Sequence, residues 1–158
     1  MNQTLDLLIQ IAHGVSTEFG SACEVVIHDL TKEDIESSIV YIENGHITNR
    51  KKGDGPSGIV LETLNHSSSL LEDKLAYLTK TDDGRILKSS TMYIRGENNK
   101  VEYIFSLNYD ITGIITMDNA LRSLIETTSE ADKQPKRITH NVNDLLDSLI
   151  EQSVELVG

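Results

Sequence analysis

The most regular hydrophobic pattern in the chain lies over residues 101–109. Val101, Tyr103, Phe105, Leu107 and Tyr109 occupy one side of a period-two alternation. Glu102, Ser106, Asn108 and Asp110 occupy the other, with Ile104 the one apolar residue among them. Successive side chains of an extended chain point to opposite faces, so this spacing predicts a half-buried strand. The run 86–95 precedes it across Gly96-Glu97-Asn98-Asn99, and 75–80 leads into that run through Asp82-Asp83-Gly84. Connections this short make neighbouring strands antiparallel. Upstream, 23–29 and 38–43 are β-rich. Asn44-Gly45 marks a tight turn after the second of these, and 46–49 is expected to return as a short strand.

Helical spacing appears elsewhere. Leu5, Leu8, Ile9, Ala12 and Phe19 fall near one stripe of a helix over 4–19, with Thr4 placed to cap it and Gly20 to stop it. An irregular stretch over 50–58 leads to a short helix expected over 59–64. Ile114, Met117, Leu121, Leu124 and Ile125 form a second stripe. Val142, Leu145, Leu146, Leu149 and Ile150 form a third, with Thr139 or Asn141 as its cap. Small and charged residues with Pro135 separate the last two. The expected organisation is a domain over 1–128, a linker over 129–139 and a C-terminal helix over 140–158. The order of elements gives an α+β fold with a central antiparallel five-stranded sheet and helical cover. A pocket between sheet and cover follows from that arrangement.

Composition narrows the function. The 158 residues are 38% hydrophobic, enough for one domain, but aromatics are only 4% and Trp is absent, so Leu, Ile and Val must build the core. The net charge of −11 opposes docking on phosphate backbones or anionic lipid. Cys23 is the only cysteine, which excludes an internal disulfide. The chain starts without a basic, apolar leader, and it has no apolar run long enough to span a bilayer, so a cytoplasmic protein without membrane contact is expected.

No motif announces catalysis. His28-Asp29 ends a strand. The pair either faces a ligand or fixes the following turn through backbone hydrogen bonds. His46 follows a turn in which Gly45 takes a positive φ cheaply. His28 and His46 lack a third ligand at metal-binding spacing, so no metal is expected. Residues 53–58 read G-x-G-x-x-G, but the neighbouring elements are antiparallel and Pro56 removes an amide donor, so a loop is expected and no nucleotide cofactor. Ser89, Thr91, Tyr93 and Arg95 share one strand face. This row is either a solvated surface or a set of hydroxyls ending in a guanidinium suited to a carboxylate-bearing metabolite. No G-x-S-x-G elbow accompanies these serines. Asp110 is read as a helix cap and Asn108 as a pocket residue.

Four blocks, CEVVIHDL (23–30), SSIVYIENGHITNRKKGD (37–54), DGRILKSSTMYIRG (83–96) and SLNYDIT (106–112), occur in an order that resembles the YheO-like PAS domain family. The likeness covers most of 5–125. It implies a PAS-like sheet with a small-molecule pocket, usually in a dimer, as the N-terminal sensor of a bacterial transcriptional regulator that ends in a helix-turn-helix. Nothing over 139–158 supplies a recognition-type helix or a basic surface, so DNA contact is expected only through a segment not in this chain. The family's last strand tends to carry a Gly and a Cys before its Asn-x-Asp. Here the run is Tyr103-Ile104-Phe105-Ser106-Leu107-Asn108, and its bulk implies a narrower pocket or a different ligand.

The expectation is therefore a homodimeric, non-enzymatic sensor for an unidentified small molecule, lined by His28, Tyr41, Asn44, His46, Ser89, Thr91 and Asn108. Two alternatives compete with it. One is an interaction module with no small ligand, and the other is a small enzyme using His28 or His46 as base near Asp29.

Overall fold

The computed structural model describes residues 2–55, 58, 61–62, 70–128 and 134–157. Helix α1 (Gln3–Phe19) is capped by Asn2, whose side-chain oxygen accepts the Leu5 amide at 3.2 Å, the place expected of Thr4. Gly20 ends the helix with φ 79° and returns its N–H to the Ser16 carbonyl at 2.9 Å.

Five strands follow: β1 (Cys23–Asp29), β2 (Ile39–Glu43), β3 (Lys74–Lys80), β4 (Ile86–Arg95) and β5 (Val101–Asp110). They form one sheet in the order β2-β1-β5-β4-β3, every pair antiparallel. The α+β architecture with a central five-stranded antiparallel sheet is as the hydrophobic pattern predicts. Helix α2 (Thr112–Ile125) starts where Asp110 Oδ1 accepts the Thr112 amide at 3.0 Å, which gives Asp110 its turn-fixing role. The expected helix over 59–64 falls mostly outside the described residues; Leu61 and Glu62 are helical.

Two compact units divide the chain at Asp118 and Asn119. The first holds α1 and the sheet. The second holds the end of α2 and helix α3 (Val142–Val157), which is capped by Asn141 through the Asp144 amide at 2.9 Å. Among the described residues no helix is long and apolar enough to cross a membrane.

The core of the first unit lies on one sheet face. Leu8 and Ala12 of α1 pack against Cys23, Val25 and Ile27 of β1 and Tyr103 and Phe105 of β5. Ala12 carries only a methyl and lets the helix approach the sheet closely. Asn2 also hydrogen-bonds the buried Tyr103 hydroxyl, tying the helix start to the same face. Phe19, expected on the buried stripe, is exposed and stands edge-on to Tyr109 with centroids 6.3 Å apart.

Two irregularities redirect side chains. Ile94 pairs with Tyr103 but Arg95 pairs with Val101, so Glu102 is an extra residue. Val101 thereby changes face. It packs with Ile104, Leu30, Ile35, Leu71 and Tyr93, away from the Tyr103 side where the alternation put it. Likewise Ile27 pairs with Tyr41 and His28 with Ile39, which leaves Val40 as the extra residue of β2. Residues 46–49 are turns and not the expected strand, with Ile47 buried among them. The left-handed conformation falls on Asn44 (φ 56°) and not on Gly45. Gly45 is required for another reason: a Cβ there would stand 2.2 Å from the Arg50 carbonyl oxygen.

Candidate functional site

The sheet face away from α1 carries, beside the apolar Val101–Ile104 cluster, a set of polar side chains of which several are buried. Register sets its composition. Glu24 of β1 and Ser89 of β4 both stand opposite Asn108 of β5, Thr91 stands opposite Ser106, and Tyr77 of β3 stands opposite Ser89. Side chains that pair across strands share a face, so these residues form one surface. Glu24 is 0% exposed and Ser89, Thr91 and His28 are each 1% exposed.

A continuous chain of side-chain hydrogen bonds crosses four strands. Thr79 Oγ1 lies 2.7 Å from Ser89 Oγ, which donates to Asn108 Oδ1 at 2.7 Å. Asn108 Nδ2 donates to Glu24 Oε1 at 2.9 Å. From the loop after β2, Arg50 Nη2 also donates to Glu24 Oε1 at 2.9 Å, and Thr48 donates to Oε2 from its hydroxyl at 2.5 Å and its amide at 3.2 Å. Arg50 Nε donates in turn to Thr48 Oγ1 at 2.8 Å. An ionised carboxylate only accepts, so it fixes the direction of the rest. The Asn108 amide nitrogen must face Glu24 and its oxygen must face Ser89. The Ser89 proton goes to Asn108, which leaves Thr79 as the donor to Ser89. Every donor in the row therefore points toward Glu24, and aligned bonds of this kind polarise one another.

Beside this row, Tyr77 and Thr91 share a hydroxyl–hydroxyl bond of 2.7 Å. His28 Nδ1 meets Ser38 Oγ at 2.9 Å. Burial pushes the His28 pKa down to about 4, and the nearby positive charge of Arg50 adds to the effect. His28 is therefore a neutral imidazole over the neutral pH range.

The structure brings together His28, Ser89, Thr91 and Asn108 of the expected lining. The other three lie elsewhere. Tyr41 pairs with Ile27 and packs on the α1 side of the sheet, where its hydroxyl bonds Glu43. Desolvation there, with Glu43 beside it, pushes its pKa up to about 12. Regular pairing of Tyr41 with Ile27 and of Glu43 with Val25 holds Tyr41 on that side, and the extra residue Val40 turns only Ile39 to the His28 side. The Asn44 amide is engaged by the carbonyls of Gly20 at 3.2 Å and Cys23 at 2.8 Å, so it fastens the turn. His46 is exposed within the turn. Arg95, the expected end of the hydroxyl row, donates to the backbone carbonyls of Leu71 at 2.5 Å and Asn99 at 2.9 Å. Asp29 accepts from the Thr31 amide at 2.8 Å, which is the turn-fixing alternative for that residue.

Glu24, Thr48, Arg50, Tyr77 and Thr79 belong to the surface and are absent from the expected lining. Glu24 left a trace in the sequence, because it is a lone charge inside the apolar run Cys23-Val25-Val26-Ile27. Arg50 left none, since a cation in a glycine-rich loop is ordinarily solvated.

An uncharacterized protein of Haemophilus influenzae is 30% identical over 148 residues, covering 94% of this chain and 65% of that protein. The uncharacterized protein YheO of Escherichia coli K12 is 24% identical over 150 residues, covering 94% of this chain and 60% of its own. The chain thus spans less than two thirds of the length of these curated relatives. Among solved structures, the PAS domain of the fruit-fly ELK potassium channel overlays with a TM-score of 0.41 at 17% identity, covering 70% of this chain and 99% of that domain. An RNA-binding light-oxygen-voltage receptor overlays with a TM-score of 0.44 at 15% identity, covering 78% of this chain and 38% of the receptor. With the family model of the YheO-like PAS domain matching residues 1–126, most of the length over which the helix, the sheet and its polar face are built, the chain belongs to the YheO-like PAS domain family.

Proposed function

We propose that this chain is the sensory part of a transcriptional regulator, and that a small cytosolic metabolite binds on the polar face of the sheet. The observation that carries the reading is the hydrogen-bonded row from Thr79 to Arg50, a surface of hydroxyl, amide and carboxylate groups in which Ser89 and Glu24 are buried and the others are half-buried. A ligand would exchange its own hydrogen bonds for some of these. The charges favour a neutral, hydroxyl- or amide-bearing molecule over a carboxylate. Arg50 is already paired with Glu24, and Arg95 is held by backbone carbonyls. Binding acts on the regulator only if one arrangement of the helices after the sheet takes the ligand better than another. Contact with DNA belongs to a segment outside this chain, and the working unit is a homodimer.

Native mass spectrometry of the freshly purified protein tests for a copurified small molecule. The expected result is a reproducible mass increment that Ser89→Ala and Asn108→Ala each remove, with loss of the accompanying rise in melting temperature. Increments and melting shifts untouched by both substitutions would reject the site.

One observation favours a second reading, an interaction module without a small ligand. Among the described residues, no buried side-chain nitrogen or oxygen lacks a hydrogen-bond partner. A surface satisfied in this way is stable without a guest. That reading expects no increment and no ligand-dependent gain in melting temperature.

A further inference from the structure

Proton direction within the polar face decides what its edge can bind. Two hydroxyls stand there on the outermost strand β3, Tyr77 and Thr79, both half-buried. They lie two residues apart, so they share a face. Each reaches inward to one buried hydroxyl of β4. Thr79 Oγ1 is 2.7 Å from Ser89 Oγ, and the Tyr77 hydroxyl is 2.7 Å from Thr91 Oγ1. The row that ends on Glu24 takes the Ser89 proton, so the Thr79 proton is committed to Ser89. The outward lone pairs of Thr79 can then only accept. Thr91 has the opposite need. Among the described residues its hydroxyl has Tyr77 as its one hydrogen-bond partner. A buried proton without an acceptor costs more than an unused lone pair. Thr91 therefore donates to Tyr77, which leaves the Tyr77 proton to point outward. The Lys74 ammonium, 4.3 Å from the centre of the Tyr77 ring, helps to hold that ring on the strand.

We infer that Tyr77 and Thr79 are the pair that reads the ligand, and that they take a group carrying an acceptor and a donor a few atoms apart, as a carboxamide does. The inference rests on the ligand site proposed above and names the chemistry that the site selects. A carboxylate can accept from Tyr77 but meets only lone pairs at Thr79. An ammonium can donate to Thr79 but offers nothing to the Tyr77 proton. A lone hydroxyl has both polarities but lacks the reach. The inward partners Ser89 and Thr91 are two residues apart on β4, a rise of about 6–7 Å. Two hydrogen bonds of about 2.8 Å through one oxygen fall short of that separation. An amide adds the width of its O–C–N group and presents a carbonyl to Tyr77 and an N–H to Thr79.

The test is a titration of the whole chain with four probes that share one ring: benzamide, benzoate, benzylammonium and benzyl alcohol. Binding is followed by ligand-observed NMR. Benzamide is expected to bind most tightly, with the other three weaker by roughly fivefold or more. Tyr77→Phe is expected to weaken benzamide by roughly fivefold and to leave benzylammonium unchanged. Thr79→Val is expected to weaken benzamide to the same degree and to leave benzoate unchanged. Thr79→Ser keeps the hydroxyl and is expected to bind benzamide as the parent does. This crossed pattern is the signature, because a general loosening of the sheet would weaken all four probes together. Equal affinity for the four, a preference for benzoate or benzylammonium, or variants that weaken all four alike overturns the inference. Where a copurified molecule still responds to Ser89→Ala and Asn108→Ala, such a result leaves sensing on the polar face standing. Where none does, both fall.

Discussion

The two faces of the sheet are built from alternate residues of the same strands, yet different forces hold them. On the α1 side, Val25, Ile27, Tyr103 and Phe105 are buried by apolar contact with a helix. On the other side, Glu24, Ser89, Thr91 and His28 are buried just as deeply but hydrogen-bonded, Ser89 and Glu24 to Asn108, Thr91 to Tyr77, His28 to Ser38, and Glu24 also to the loop after β2. Apolar burial tolerates many shapes because it is non-directional. A buried polar surface tolerates few, because each donor needs its acceptor at the right distance and angle. The second face is therefore the more specific one, and it is where recognition of a small molecule is proposed.

The largest expected effect falls on the apolar face. Phe105→Ala removes a ring from the packed layer under α1 and is expected to lower unfolding free energy by about 4 kcal/mol, read from urea melts. On the polar face, Glu24→Leu leaves Arg50, Thr48 and Asn108 without their common acceptor. Breaking an enclosed pair costs about 3–5 kcal/mol. The Arg50 side chain is 23% exposed and can turn to water, so a loss of about 2–3 kcal/mol is expected. A neutral or stabilising outcome would mean that the polar row is dispensable and that the two faces differ less than described.

The pH dependence of stability tests the polar face without a mutation in the row. His28 binds its proton near 6.5 when unfolded and near 4 when folded. Between those values the unfolded state holds more protons, so unfolding free energy falls as pH is lowered from about 6.5 to about 4. The drop is on the order of 3 kcal/mol and levels off below the folded value. His28→Gln is expected to flatten this part of the curve, and an unchanged slope would place the His28 ring in water. The smallest effect belongs to the α1–β2 tie. Glu43, held below the usual carboxylate range first by the Tyr41 hydroxyl and then by His13, pairs with a His13 side chain that is 69% exposed. His13→Ala should cost no more than about 0.5 kcal/mol, measured by the same melts.

Much of the scaffold was legible from periodicity. The run 86–95 and the alternation over 101–109 match β4 and nearly all of β5, and the tight connections correctly implied antiparallel order. Asn141 caps its helix as expected, and Asp110, read as a cap, lies one residue earlier and fixes the turn into α2. The bulges were not legible. One extra residue at Val40 puts Ile39 opposite His28, and one at Glu102 moves Val101 to the other face. A bulge is decided by the partner strand and by packing, neither of which leaves a local pattern. Polar alternation also had two meanings that period alone does not separate, a face in water and a face closed by its own hydrogen bonds. Ser89, Thr91 and Asn108 were legible as candidates because both meanings put them on one surface. Arg50 and Thr48 were not, because their roles depend on a loop folding back onto Glu24.

The sequence by itself determined the main helices and strands, the antiparallel order of β3, β4 and β5, and which residues of β4 and of β5 from Tyr103 onward share a face, since each follows from backbone geometry and short connections. The tertiary structure alone decided that Glu24 is the common acceptor of the polar face, and that Tyr41 and His46 have no part in it. Those outcomes depend on distances between residues far apart in the chain, where a single bulge or loop reversal changes which groups meet.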